Sequence, residues 1–149
     1  RRRRPWHIAE NPRPLYGARH AKPRITPTSG YVMGKKTFRR GLWVAPNHET
    51  VFDVKGAGFS AFAAEVGFYD GYSKSSYANR GAVVSFEIYV DGKLRTQSGF
   101  MTFSDAPRLL VADRLARAKE VKLVTRRADL VDDWYTFVTW GDPRFIKAK

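Results

Sequence analysis

Val84-Ser85-Phe86-Glu87-Ile88-Tyr89-Val90, followed by Asp91-Gly92-Lys93, decides the fold. Val84, Phe86, Ile88 and Val90 alternate with Ser85, Glu87 and Tyr89, and a period of two marks a strand with one buried face. Asp91-Gly92 suits two consecutive left-handed residues, which a type I′ hairpin turn requires. The spacing therefore predicts a hairpin whose second arm runs over residues 93–98.

The same grammar extends in both directions. Thr50-Val51-Phe52-Asp53-Val54 reads as a short strand, and Lys55-Gly56-Ala57-Gly58 as a turn. Residues 59–68 read as a longer strand with Phe62, Ala64 and Val66 on one face, and residues 69–80 as a loop rich in Gly, Ser and Tyr. Leu109-Leu110-Val111 and Val121-Lys122-Leu123-Val124 are two further strands, with room for a turn or two of helix over 113–119. Residues 134–140 form the last strand, stopped by Gly141-Asp142-Pro143. Seven strands with no long helical period imply an all-β, antiparallel β-sandwich.

Charge divides the chain. Residues 1–40 hold twelve Lys and Arg against one acid, Glu10, a net +11. Residues 41–149 hold fifteen against thirteen, a net +2. Five of the eight prolines (Pro5, Pro12, Pro14, Pro23 and Pro27) fall in the first part and forbid any helix of three turns there. Residues 1–40 are thus expected to be an extended, Pro/Arg-rich arm, disordered alone because they bury too little to offset their ordering entropy. At about 3.1 Å per residue the arm reaches roughly 120 Å. The chain begins with Arg, and its first residues lack the apolar stretch of a secretory signal, so the arm is read as part of the mature protein.

The arm interleaves cations with aromatics, a mixture that suits RNA: Arg pairs with phosphate bidentately, and rings stack on unpaired bases. The expected RNA contacts are Arg1, Arg2, Arg3, Arg4, Trp6, Arg13, Tyr16, Arg19, Lys22, Arg24, Lys35, Lys36, Arg39 and Arg40.

The body offers little chemistry. There are no cysteines, hence no disulfide, thiolate metal site or Cys nucleophile. His7 and His20 lie in the arm, and His48 sits in what reads as a turn beside Glu49. Asp132-Asp133 falls short of the six or so oxygens that Ca²⁺ requires. No phosphate loop, nucleophile elbow or acid–base constellation is present. The chain reads as a non-enzyme without metal or cofactor, and no apolar run reaches the roughly 18 residues of a membrane span.

The body resembles the NPCBM/NEW2 module, a carbohydrate-binding β-sandwich. The resemblance rests on Gly41-Leu42-Trp43-Val44-Ala45-Pro46, the strand at 50–54, and Phe59, Phe62, Ala64, Val66 and Gly67. It continues through the hairpin at 84–93 with Ser98-Gly99, Lys119-Glu120-Val121-Lys122-Leu123-Val124, and the closing Trp140-Gly141-Asp142-Pro143. It covers 41–145 and implies a jelly-roll, galactose-binding-like sandwich. It implies sugar stacking on Trp43, Tyr72 and Tyr77, whereas Trp134 and Trp140 are expected to alternate into the core. Family members often carry His before the Ala-Pro step, and His and Asp before the closing Trp; Val44, Phe137 and Thr139 stand there instead.

These observations weigh toward a non-catalytic, RNA-contacting structural subunit of a large ribonucleoprotein, a mitochondrial ribosome foremost, placed in the matrix. On that reading the arm threads along rRNA and the sandwich docks on neighbouring proteins. The alternatives are a carbohydrate-binding module, and a protein–protein adaptor of another organellar complex.

Overall fold

The computed structural model describes residues 24–25, 31–33, 35–38, 41–44, 48–68, 83–128 and 138–147. Among them the regular elements are all strands. In chain order they are β1 (Arg24–Ile25), β2 (Tyr31–Met33), β3 (Lys36–Phe38), β4 (Gly41–Val44), β5 (His48–Asp53) and β6 (Phe59–Phe68). Then follow β7 (Val84–Val90), β8 (Lys93–Met101), β9 (Arg108–Ala112), β10 (Glu120–Arg127) and β11 (Val138–Lys147). One sheet has the order β1-β4-β11-β6-β9, the facing sheet β5-β10-β7-β8, and β2-β3 form a separate hairpin. Every pairing is antiparallel. The expected all-β sandwich is the fold observed.

The period-two reading places the core. Val84, Phe86, Ile88 and Val90 join Phe52, Val121 and Leu123 from one sheet, and Leu42, Phe62, Val66 and Trp140 from the other. The two sheets meet through aromatics: Phe86 sits edge-on to Trp140 at 5.3 Å, and Phe52, Phe59 and Phe62 gather around Phe145. Asp91 and Gly92 both adopt positive φ, 51° and 81°, as a type I′ turn demands. The Asp91 carboxylate also accepts the backbone N–H groups of Lys119 and Glu120, each at 2.9 Å, and so ties the hairpin to the start of β10. Those bonds, the one from Lys119 first, hold the Asp91 carboxyl below its ordinary value.

A second, smaller core lies on the outer face of the five-stranded sheet. Met33 and Phe38 of the β2-β3 hairpin are buried over β11. A Cβ on Gly141 would lie 2.7 Å from Met33 Cε and 2.9 Å from Phe38 Cδ1, so only glycine fits beneath the hairpin. Gly67 takes the same cover more loosely, since a Cβ there would lie 3.5 Å from Met33 Sδ. At the hairpin's rim Lys36 Nζ meets Glu65 Oε1 at 2.7 Å and lies over the Phe38 ring.

Several local expectations give way. Residues 24–38, read as arm, contain three short strands; β1 pairs with β4, and the hairpin buries two apolar side chains. Proline spacing excludes a helix, but two- and three-residue strands fit between prolines, and Met33 and Phe38 supply enough apolar surface to hold them. No helix forms over 113–119: Arg114 takes φ 56°, and Leu115 and Ala118 turn inward to close one end of the sandwich. β11 does not stop at Gly141-Asp142-Pro143. Asp142, at φ 48°, sits in an irregularity between Gly141 and Arg144, after which pairing with β6 resumes. His48 is the first residue of β5, not part of a turn.

Two outcomes test this architecture. Gly141→Ala should lower stability by about 1–3 kcal/mol in chemical denaturation, because the new methyl forces Met33 and Phe38 apart. Since Asp91 has a depressed pKa in the fold, its contribution is full above the unfolded carboxylate pKa and is lost as pH falls through the folded one. Melting temperature should therefore fall less steeply on acidification in Asp91→Ala than in the parent.

Candidate functional site

The strand termini single out one end of the sandwich. Val138 faces both Val44 and Phe68 in register, Arg127 faces Val84, and Thr125 faces His48. The connections spanning 45–47, 69–82 and 129–137 therefore all leave and re-enter at this end. The opposite end is closed by the tight Asp91-Gly92 turn and by Leu115 and Ala118. Long connections brought together on a rigid sandwich are where binding groups collect.

The strands beneath these connections carry buried polar groups. The inward alternation Val121, Leu123, Thr125, Arg127 turns from apolar to polar as β10 reaches this end. His48 is 3% exposed and Arg127 7%. Thr125 Oγ1 bridges the His48 backbone, accepting from its N–H and donating to its carbonyl, both at 3.4 Å. Val84 and Met101 lie in the same row as Arg127, and the facing sheet supplies Val44, Phe68 and Val138, so the polar groups here are set among apolar ones. Sequence reasoning ended this strand at Val124 and so missed Thr125 and Arg127; the signal was period two continued through polar residues.

Thr139 lies in the row just inside this end, between Trp43 and Gly67 in register, on the face that the hairpin covers. It is 0% exposed, and among the described residues its Oγ1 has no hydrogen-bond partner. The position where relatives often carry Asp is thus a buried hydroxyl.

A separate polar network occupies the solvent face of the four-stranded sheet. Glu87 Oε1 accepts from the Tyr89 hydroxyl at 2.7 Å, and Arg126 Nε donates to Oε2 at 3.2 Å. The Glu87 hydrogen bond raises the Tyr89 pKa above its ordinary value and also raises that of Arg126.

The expected site residues divide as follows. Arg1, Arg2, Arg3, Arg4, Trp6, Arg13, Tyr16, Arg19, Lys22, Arg39 and Arg40 lie outside the described residues, as do Tyr72, Tyr77, Trp134 and Asp132-Asp133. Tyr72 and Tyr77 belong to the connection 69–82, which starts and ends at the site end. Arg24 sits in β1 directly across from Trp43. Lys35 forms the hairpin turn at φ 66°, and Lys36 is paired with Glu65. Trp140 is in the core, as expected.

This geometry defines a two-sheet, galactose-binding-like sandwich with its candidate site at the loop-bearing end. The NPCBM/NEW2 domain profile matches residues 21–146, and the chain belongs to that family. No curated protein matches the chain. Several solved structures share the fold. CBM51-2 and INT domains from Clostridium perfringens ZmpB, in complex with GlcNAc, align at TM-score 0.72 and 22% identity, covering 95% of this chain and 30% of that one. CBM51 from Clostridium perfringens GH95, in complex with methyl-galactose, aligns at 0.72 and 18%, covering 91% and 92%. Tandem CBM51 modules of the family 98 glycoside hydrolase Sp3GH98 from Streptococcus pneumoniae align at 0.71 and 18%, covering 96% and 48%.

These findings overturn the ribonucleoprotein reading, and with it rRNA as partner and the mitochondrial matrix as location. The family is that of a carbohydrate-binding module, and the similar structures come from bacteria. The physical source of the error is the charge count. It treated residues 1–40 as one basic arm, whereas the family match begins at residue 21 and Lys36 is engaged within the fold.

Replacing Thr139 by the isosteric Val should leave stability unchanged or raise it by up to about 1 kcal/mol, because a buried hydroxyl without a partner is removed. A loss of several kcal/mol in denaturant titration would show that the hydroxyl is engaged.

Proposed function

We propose that this chain is a non-catalytic carbohydrate-binding module that takes a pyranose sugar at the loop-bearing end of the sandwich. The observation that carries this reading is a family match spanning both sheets and the N-terminal strands. Two of the similar structures hold GlcNAc and methyl-galactose, which supports a sugar of that size and polarity. A pyranose presents an apolar C–H face and a rim of hydroxyls, and a site for it combines an aromatic plane with a few fixed polar groups. Trp43, Tyr72 and Tyr77 supply the planes in this proposal. His48 and Arg127 lie too deep to touch a ligand and act as the floor on which the connections rest.

The module serves a larger polypeptide. The chain spans 30% of the ZmpB structure and 48% of the tandem-module structure, and in this reading it delivers a partner unit to glycans while performing no chemistry itself.

The test is a glycan array probed with the whole chain, followed by titration calorimetry. Galactose- or GlcNAc-terminated glycans should bind, and Tyr72→Ala or Tyr77→Ala should weaken binding at least about tenfold at unchanged melting temperature. A folded chain that ignores every glycan would overturn the proposal.

A further inference from the structure

Strand β8 spends two extra residues to keep one face. Ser85 and Glu87 are two apart on β7, yet their partners Phe100 and Gln97 are three apart on β8. Ile88 and Tyr89 are adjacent, yet their partners Thr96 and Leu94 are two apart. Residues three apart on a regular strand point to opposite faces. The irregularities instead put Leu94, Gln97 and Phe100 opposite Tyr89, Glu87 and Ser85, all on the solvent face.

The bulge nearest Phe100 is firmly built. Gly99 takes φ 70°, which suits glycine. Ser98 Oγ accepts from the Phe86 N–H at 3.0 Å and donates to the Gly99 carbonyl at 2.6 Å. Arg108 Nη1 donates to the Ser98 carbonyl at 2.6 Å from β9. Bulges of this kind re-aim side chains, often beside binding sites.

What is re-aimed here has no structural task. Phe100 is 57% exposed, and Gln97 is exposed as well. Among the described residues the Phe100 ring stacks on no other ring, and the Gln97 amide makes no hydrogen bond. Next to them Glu87 is already fixed by Tyr89 and Arg126. Arg126 lies across from Ser85, and its partly exposed guanidinium has donors beyond the two that hold Glu87.

We propose that this face is a second carbohydrate subsite, in which a pyranose of a glycan chain stacks on Phe100 and hydrogen-bonds to Gln97 and to the Arg126 guanidinium. Phe100 stands beside a planar amide and a guanidinium that Glu87 holds in place, which matches a sugar's apolar face and hydroxyl rim. The subsite lies on the flat of the sheet, away from the loop-bearing end, and stands or falls independently of it.

Amide-resolved NMR titration of the whole chain with methyl-galactose, GlcNAc and a GlcNAc tetrasaccharide separates the two. Residues 85–87 and 97–100 should shift saturably with at least one of these probes, and Phe100→Ala and Gln97→Ala should each weaken that response about tenfold. Shifts at the loop-bearing end should be untouched by these variants. If residues 97–100 stay still up to about 10 mM of every probe, the subsite does not exist, whatever the loop end does. If they move while the loop end stays still, the subsite stands and the loop-end assignment fails.

Discussion

The fold turns on two consecutive residues of β11. Trp140 points inward and is fully buried edge-on against Phe86, joining the two sheets. Gly141 points outward and lets Met33 and Phe38 settle onto the strand. A strand in the middle of a sheet with packing on both faces has no neutral position, and alternation forces the largest and the smallest residue into adjacent places. Trp-Gly at this step is therefore a packing requirement in both directions at once. The β4 and β6 registers on either side of β11 inherit their alignment from it.

The sandwich was legible because its strands obey the simplest rule available. Val84 to Val90 alternates without exception, and Asp91-Gly92 can hardly be anything but a tight turn. The errors cluster where the rule is interrupted. β8 hides two irregularities, β11 passes through a Gly-Asp-Pro that ordinarily ends a strand, and β10 continues its inward row through Thr125 and Arg127. Each looks like a strand end in sequence because the residue type changes, yet strand pairing continues or resumes beyond it. The strands of residues 24–38 were hidden for another reason. They exist only by leaning on a sheet completed more than a hundred residues later, and nothing local announces that support.

The candidate site was less legible than the fold. Residue type proposes Trp43, Tyr72 and Tyr77 as sugar planes, and only the strand ends show that the connection 69–82 leaves and re-enters at one pole. The polar lining of that pole could not be read, since His48 resembled a turn residue and the strand was ended at Val124, short of Thr125 and Arg127. Net charge misled most. It is a sum over residues and says nothing about which cations are already engaged; Lys36, paired with Glu65 and laid over Phe38, contributed to the total as though free.

The arrangement of the hairpin on β11 also constrains how the chain reaches its fold. β1 to β3 are made early and β11 last, yet they pack on one another, and β4 pairs with β11 directly. Contacts of such long sequence separation carry a high loop-closure cost and slow folding. During synthesis the N-terminal strands must wait without a docking surface until residue 141 is available. The earlier strands are thus among the last to be secured, and a chain cut short before β11 loses their docking surface as well as the strand itself.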